Sequence, residues 1–163
     1  MTPTPSALNP YSKFLGEAAP YETIAYTPHQ IAELIANLPP ARIITSPAPG
    51  KWSIRDILCH LADCEIAFAF RLRQAAAEPN HVIQPFDQEK WAGPYGLFDA
   101  ASALAVFTTL RDWNCKLITT IPPEGFEKPV THPERGEMKF RTIVETMAGH
   151  DINHVKQIEA LAA

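Results

Sequence analysis

Apolar residues recur at helical spacing in four segments of the chain, and proline-rich segments separate them. The first segment carries a short apolar stripe at steps of one to three residues, formed by Ile31, Leu34, Ile35 and Leu38. Three proline-free stretches, 50–78, 95–121 and 134–163, carry helical periodicity over greater lengths. Because proline interrupts helices, the pattern predicts four of them, at about 28–38, 54–77, 99–120 and 142–161.

Local signals mark where these helices begin. Thr27 followed by Pro28 is typical of an N-cap and a first helical position, so we expect the first helix to start there. Residues 1–26 before it are proline-rich and weakly patterned, and we predict an extended arm with one short turn. Each of the other helices is preceded by a predicted capping residue or box: Ser53 with Asp56, Asp99 or Ser102, and Thr142 with Glu145.

Four helices joined by irregular segments predict an all-α four-helix bundle, with residues 1–163 forming a single domain. The connection at 79–97 is long enough to return along the whole bundle, so the second and third helices can run parallel. Connections of this length in compact domains often act as lids or binding loops. Trp91 and Tyr95 within it could line the mouth of a site or pack on the bundle, and packing is the favoured interpretation.

The last helix carries two histidines on its apolar face. Its stripe is formed by Ile143, Met147, Ile158 and Leu161. His150 and His154 fill the gap in that stripe, and their spacing of four residues places both imidazoles on one face, one turn apart. Burying two imidazoles is costly unless they are hydrogen-bonded or bound to a metal. The helix therefore points to a metal site or to a hydrogen-bonded histidine pair.

The second helix also directs a histidine inward. His60 lies three residues after Ile57 and four before Cys64, both on the apolar face. Alone, it is typical of a hydrogen-bonded core histidine. Asp63, at the edge of the stripe near His60, is a candidate base or partner for an imidazole N–H. Cys64 is either a ligand or, more simply, a small core residue.

Together, His60, His150 and His154 form a candidate site for a divalent transition metal. Three neutral imidazoles leave coordination positions open for water or substrate, as catalytic sites require. Zinc is the first expectation, with nickel or iron as alternatives. A bound metal could activate water or hold a substrate thiol as the thiolate. Glu65 and Asp151 are further candidates for supporting carboxylates, although the simpler interpretation is solvated charge, which we prefer for Asp151.

The composition of the chain argues against some classes of binding partner. The 163 residues carry a formal net charge of −4, which argues against nucleic acid or an anionic membrane surface as a main partner. No apolar run approaches the roughly 20 residues of a membrane span, and no secretory signal is visible. Three cysteines without a CxxC pair are typical of reduced thiols, so we expect a cytoplasmic protein.

Two motifs carry a family resemblance. The segment Lys51-Trp-Ser-Ile-Arg-Asp-Ile-Leu-Cys-His60-Leu-Ala-Asp-Cys-Glu65 is followed about 90 residues later by Ala148-Gly-His150-Asp-Ile-Asn-His154. In this order and separation they resemble the DinB/YfiT-like superfamily, over about residues 28–161. The resemblance implies an up-down-down-up bundle that is often a homodimer. It also implies a three-histidine metal site, which maps onto His60, His150 and His154.

The resemblance leaves the reaction open. It implies a metal-dependent enzyme acting on a small molecule, either a hydrolase or an S-transferase that uses a low-molecular-weight thiol. The alternative is a non-catalytic metal- or ligand-binding protein of a stress response. The candidate arginines for holding the carboxylates of a thiol cofactor, Arg71, Arg73 and Arg141, cannot be distinguished by their spacing.

Overall fold

The computed structural model describes residues 8–163, and helices dominate it. Four long helices form the bundle, and three short helices lie in the segments before and between them. In chain order the helices are α1 (Ser12–Leu15), α2 (Pro20–Ile35), α3 (Pro40–Ile44), α4 (Ile54–Ala77), α5 (Gln88–Trp91), α6 (Ala100–Thr119) and α7 (Phe140–Ala162). Short 3-10 turns span Tyr95–Leu97 and Pro123–Glu127, and two strands, β1 (Pro129–His132) and β2 (Gly136–Lys139), form a hairpin. The four-helix bundle predicted from the sequence is confirmed.

Two apolar clusters in the core show the direction of each long helix. One cluster joins the N-terminal halves of α2 and α7 to the C-terminal halves of α4 and α6, through Ile24, Met147, Leu72 and Ile118. The other joins the opposite halves, through Ile31, Ile158, Leu58 and Phe107. Helices α4 and α6 are therefore parallel to each other and antiparallel to α2 and α7. This is the up-down-down-up order, with residues 78–99 returning along the bundle.

The capping residues predicted from the sequence mark the N-terminal starts of α4 and α6. Ser53 accepts a hydrogen bond from the Asp56 backbone N–H at 3.2 Å, and the Asp56 carboxylate accepts one from the Ser53 N–H at 3.0 Å. This reciprocal box satisfies two N–H groups that the first turn leaves unpaired. Asp99 caps α6 by accepting from the Ser102 N–H at 2.7 Å. Both helices begin within one residue of their predicted starts.

The predicted start of the first long helix is wrong. Helix α2 begins at Pro20 and ends at Ile35, so Pro28 lies inside it and the predicted arm of residues 1–26 is partly helical. Residues 1–7 lie outside the described part of the chain. Because Pro28 has no N–H, the Ile24 carbonyl one turn earlier lacks its helical donor. The buried Arg111 side chain donates to that carbonyl at 2.8 Å instead, which compensates for the lost helical bond.

The last connection holds more structure than its sequence predicts. Residues 121–140 were expected to be irregular, yet β1 and β2 pair there as an antiparallel hairpin, with Val130 opposite Met138. Both of these side chains are buried in the core, and Gly136 takes a positive φ where the second strand begins. Strands of four residues are too short to show alternation in the sequence. Helix α7 begins two residues earlier than predicted, and Thr142 accepts from the Lys139 N–H at 3.5 Å.

None of the helices in residues 8–163 combines the length and the apolar character that a membrane crossing demands.

Candidate metal centre

Three imidazoles meet in the layer between the two apolar clusters. His60 comes from α4, and His150 and His154 come from successive turns of α7. Their ring centroids lie 5.1 Å apart for His60 and His150, 4.8 Å for His60 and His154, and 4.4 Å for His150 and His154. All three side chains are buried, with 2–5% of their surface exposed. The structure thus brings together the three histidines singled out in the sequence.

Ring nitrogens of His60 and His150 point at each other, and His154 packs against these two histidines through its ring. His60 Nε2 lies 3.0 Å from His150 Nε2, and Cys64 Sγ lies 3.4 Å from His60 Nε2. Donor atoms of His60, Cys64 and His150 all fall within 4.8 Å of one another. His154 Nδ1 lies 2.9 Å from Gln157 Oε1, a contact in which neutral His154 donates from Nδ1 and leaves Nε2 free as an acceptor.

Burial keeps two of the imidazoles neutral. Burial, followed by the proximity of His150 and His154, lowers the pKa of His60 to about 2. For His154, burial and then His150 lower the pKa to about 3. Both rings are therefore uncharged at neutral pH, which is the form of histidine that binds metals.

This donor set fits a divalent transition metal. Two nitrogens that bind one zinc ion tetrahedrally at about 2.0–2.1 Å lie roughly 3.3 Å apart, close to the separation of the His60 and His150 nitrogens. Gln157 accepts a hydrogen bond from Nδ1 of His154. In metal sites of other proteins, the histidine nitrogen that does not bind the metal commonly donates to such an acceptor, which fixes the orientation of the ring. Three imidazoles with a thiol beside them suit zinc, nickel or iron better than magnesium or calcium, which prefer oxygen ligands.

Aromatic side chains enclose the three histidines. The Trp52 ring lies 4.8 Å from His60 and 6.5 Å from His154, and Tyr11 meets His150 edge-on at 5.1 Å. The close approach of Tyr11 depends on Gly149, because a Cβ added there would lie 2.6 Å from the Tyr11 carbonyl oxygen. Tyr11 belongs to the predicted arm, and nothing in its local sequence signalled a place beside the site.

A buried ionic cluster adjoins the histidines. Arg111 of α6 donates to both oxygens of Asp151, at 2.5 and 3.1 Å, and to Glu65 Oε2 at 2.8 Å. Asn114 donates to the other Glu65 oxygen at 2.7 Å, and we call these four residues the ionic cluster. Burial alone would raise the pKa of Asp151, but the Arg111 guanidinium outweighs it and the pKa is lowered. The solvated charge preferred for Asp151 and considered for Glu65 is therefore wrong, since both residues are 0% exposed.

A signal for the ionic cluster was present in the sequence. Arg111 and Asn114 fall at helical spacing between Phe107 and Ile118, in the buried stripe of α6. A charged residue within an apolar stripe predicts a buried partner of opposite sign. Which carboxylates supply that partner depends on tertiary packing, since Glu65 and Asp151 come from two other helices.

Asp63 follows His60 by three residues in the sequence, but its side chain contacts Tyr95 rather than a histidine. Its carboxylate accepts a hydrogen bond from the Tyr95 hydroxyl at 2.7 Å. Among residues 8–163, no hydrogen bond joins Asp63 to His60, and its role as a base stays a prediction. Tyr95 itself is buried and packs in the core, as expected, and its position explains how the 79–97 connection is held against α4.

A cavity of about 410 Å³ reaches His150 from outside. His150 and Cys64 form part of its wall, the 79–97 connection contributes Phe86, and the β1–β2 turn contributes Arg135. A larger cavity of about 730 Å³ lies on the other side of Trp52 and contains none of the three histidines in its wall. The smaller cavity is therefore the route by which a small molecule would approach His150.

Known proteins resemble this chain throughout the bundle. A family model described as "DinB superfamily" matches residues 23–158. Two relatives, from Oceanobacillus iheyensis and Bacillus mycoides, are each 28% identical over 135 residues, which cover 82% of this chain and 78% of the relative. Both carry the name "Putative metal-dependent hydrolase".

A solved structure shares the fold. YfiT from Bacillus subtilis, described as "a probable metal-dependent hydrolase with an unusual four-helix bundle topology", matches with a TM-score of 0.80. The match covers 87% of this chain and 83% of YfiT at 19% sequence identity, so it speaks for the fold.

Proposed function

Since the chain belongs to the DinB superfamily, we propose that it is a metal-dependent enzyme that acts on a small molecule, with His60, His150 and His154 as the metal ligands. One observation carries the proposal: three buried imidazoles from two helices are in mutual contact beside a cavity that reaches His150. A divalent metal held there would supply a Lewis acid and would lower the pKa of a water molecule towards neutrality.

The chain's own residues prepare the site. Gln157 Oε1 holds the His154 ring through Nδ1, which leaves Nε2 available as an acceptor. Trp52 covers His60 and His154 on one side, Tyr11 and Phe68 flank His150, and the cavity opens onto His150. The helices that carry the histidines are long and packed along their length, so the three rings are held on rigid elements.

Hydrolysis is the reaction that we place first. The names of the relatives from Oceanobacillus iheyensis and Bacillus mycoides support it. S-transfer from a low-molecular-weight thiol is the second candidate, and Cys64 Sγ at 3.4 Å from His60 Nε2 favours it, because it shows that the centre accommodates sulfur. The open cavity favours either enzyme over a non-catalytic metal-binding protein, which would need no access to the histidines.

The first experiment measures bound metal. Wild type and His154→Ala are incubated with zinc, nickel or iron, freed of excess metal and analysed by ICP-MS. We expect about one equivalent in the wild type and a large loss in the variant, because two imidazoles hold a metal far more weakly than three. His29→Ala is the matched control, since His29 is exposed and pairs with Glu33. A wild type that binds none of the three metals would contradict the proposal.

The second experiment separates the reactions. The metal-loaded protein is tested on small esters and amides, with and without a small thiol, and on electrophiles that accept a thiol. Turnover of esters or amides without the thiol identifies a hydrolase, and strict dependence on the thiol identifies a transferase. Metal-loaded protein without turnover on either panel would favour the non-catalytic alternative. Cys64→Ala should retain its metal if the three imidazoles suffice.

A further inference from the structure

Two arginines face the cavity that leads to His150. Arg71 lies on α4, seven residues after Cys64 and hence on the same face of the helix. Arg135 lies in the turn between β1 and β2. Both side chains line the 410 Å³ cavity together with His150, and both also line a small recess beside it. Arg71 is one of the three arginines that the sequence offered for holding a carboxylate, whereas Arg135 was not among them.

Arg71 is held in place without a neutralising carboxylate. One of its N–H groups donates to the Gln84 carbonyl at 3.2 Å. Its guanidinium lies 5.7 Å from the Phe68 ring centroid and 5.6 Å from that of Phe86, which fixes its orientation. Burial lowers the pKa of Arg71; Cys64 opposes this by a smaller amount, and the charge of Arg135 lowers the pKa by less still. Within residues 8–163, the bond to Gln84 is the one hydrogen bond that the Arg71 guanidinium makes, so most of its donors can serve a bound anion.

The carboxylates near the cavity do not neutralise these arginines. Asp87 caps α5 by accepting from the Lys90 N–H at 3.2 Å, and its other oxygen pairs with Lys90 Nζ at 3.0 Å. Glu134 is exposed. Within residues 8–163, no ion pair includes Arg71 or Arg135. Two like charges that share a cavity wall repel each other, and an anion between them would relieve that repulsion.

We propose that Arg71 and Arg135 form an anion-binding subsite that holds a carboxylate or phosphoryl group of the substrate while its reacting part lies at His150. The inference rests on the proposed function and adds a substrate class to it, namely a small molecule that carries a negative charge. A guanidinium fork can bind either kind of oxyanion through two parallel hydrogen bonds. The cavity volume suits a ligand of metabolite size.

Direct binding of simple anions tests the subsite. Succinate and inorganic phosphate are titrated by NMR into the protein as purified and into the same protein after metal removal by a chelator. Arg71→Gln and Arg135→Gln should each weaken binding about tenfold or more, because a hydrogen bond to a charged group is worth about 1.5–3 kcal/mol. Arg141→Gln is the matched control, since Arg141 lies outside this cavity and pairs with Glu127.

The outcomes separate this inference from the proposed function. Arginine-dependent binding in metal-free protein supports the subsite even if no metal centre exists. A preference for succinate or for phosphate assigns the group as carboxylate or phosphoryl. Equal affinity in wild type, Arg71→Gln and Arg135→Gln would overturn the subsite, even in a protein with full metal occupancy. Arg135 lies in a surface turn, so Arg135→Gln should fold normally and keeps the test valid if Arg71→Gln is unstable.

Discussion

Two polar clusters lie side by side in the core, and they are satisfied in different ways. In the ionic cluster, Arg111 and Asn114 provide donors to both carboxylates, Glu65 and Asp151. In the histidine cluster, the rings of His60, His150 and His154 pack on one another, and His150 Nδ1 lies 4.0 Å from Asp151 Oδ1 of the ionic cluster. The two clusters are adjacent in sequence as well, because Glu65 follows Cys64 and Asp151 follows His150.

The difference indicates which buried polar groups serve the fold and which are prepared for a ligand. Arg111 links α6 to α4 and α7 and also satisfies the Ile24 carbonyl of α2, so the ionic cluster joins all four long helices. The histidines link only α4 and α7, and a cavity reaches His150. Both carboxylates of the ionic cluster have donors within the cluster, and Arg111 Nε is its one buried side-chain atom without a partner in residues 8–163. Imidazoles that face one another, by contrast, have lone pairs to offer.

Removing the charge of Arg111 should produce the largest effect on folding. Arg111→Met leaves Glu65 and Asp151 as buried carboxylates without a cation and also removes the donor to Ile24. We expect the free energy of unfolding to fall by about 3–5 kcal/mol, measured by urea denaturation. Arg141→Met, at an exposed ion pair, should change it by less than about 1 kcal/mol. Similar losses in both variants would show that the ionic cluster contributes little to stability.

Adding a methyl group at Gly149 should displace the segment around Tyr11 that packs on the histidine cluster. The new Cβ of Gly149→Ala would lie 2.6 Å from the Tyr11 carbonyl oxygen, so the segment around α1 must move. We expect a loss of about 1–3 kcal/mol from overpacking, together with faster amide hydrogen exchange in residues 9–15. Gly96→Ala is the control, because its added Cβ would meet nothing within 4 Å. Unchanged exchange at residues 9–15 would contradict the role of Gly149.

Sequence reasoning succeeded where local signals determine the structure. Ser53 and Asp99 define the starts of α4 and α6, and helical spacing places His60, His150 and His154 on inner faces. It failed where tertiary contacts override local preference. Pro28 is tolerated inside α2 because Arg111, more than 80 residues away, satisfies the carbonyl that it leaves free.

Tertiary packing also explains why sequence reasoning did not assign other residues to the candidate site. Tyr11, Arg71 and Arg135 reach it from three separate segments, and only the packed bundle brings them together. The pairing of Arg111 with Glu65 and Asp151 likewise depends on three helices meeting. The ligand roles of the histidines, the part of Asp63 and the homodimer stay predictions, because each concerns a partner that the chain alone does not supply.

Replacing a histidine with an apolar residue should have the smallest effect on the metal-free fold. His154→Leu removes a buried neutral imidazole and one hydrogen bond to the exposed Gln157, which can bond to water instead. After chelation, we expect its free energy of unfolding to lie within about 1 kcal/mol of the wild type, since the volume is nearly conserved. Ile158→Ala, one turn further along the same face, should cost about 2–5 kcal/mol. With zinc at 100 times its dissociation constant, the wild type alone should gain about 2.7 kcal/mol. A loss above about 2 kcal/mol in metal-free His154→Leu would instead place the histidines, like the ionic cluster, among the groups that hold the fold together.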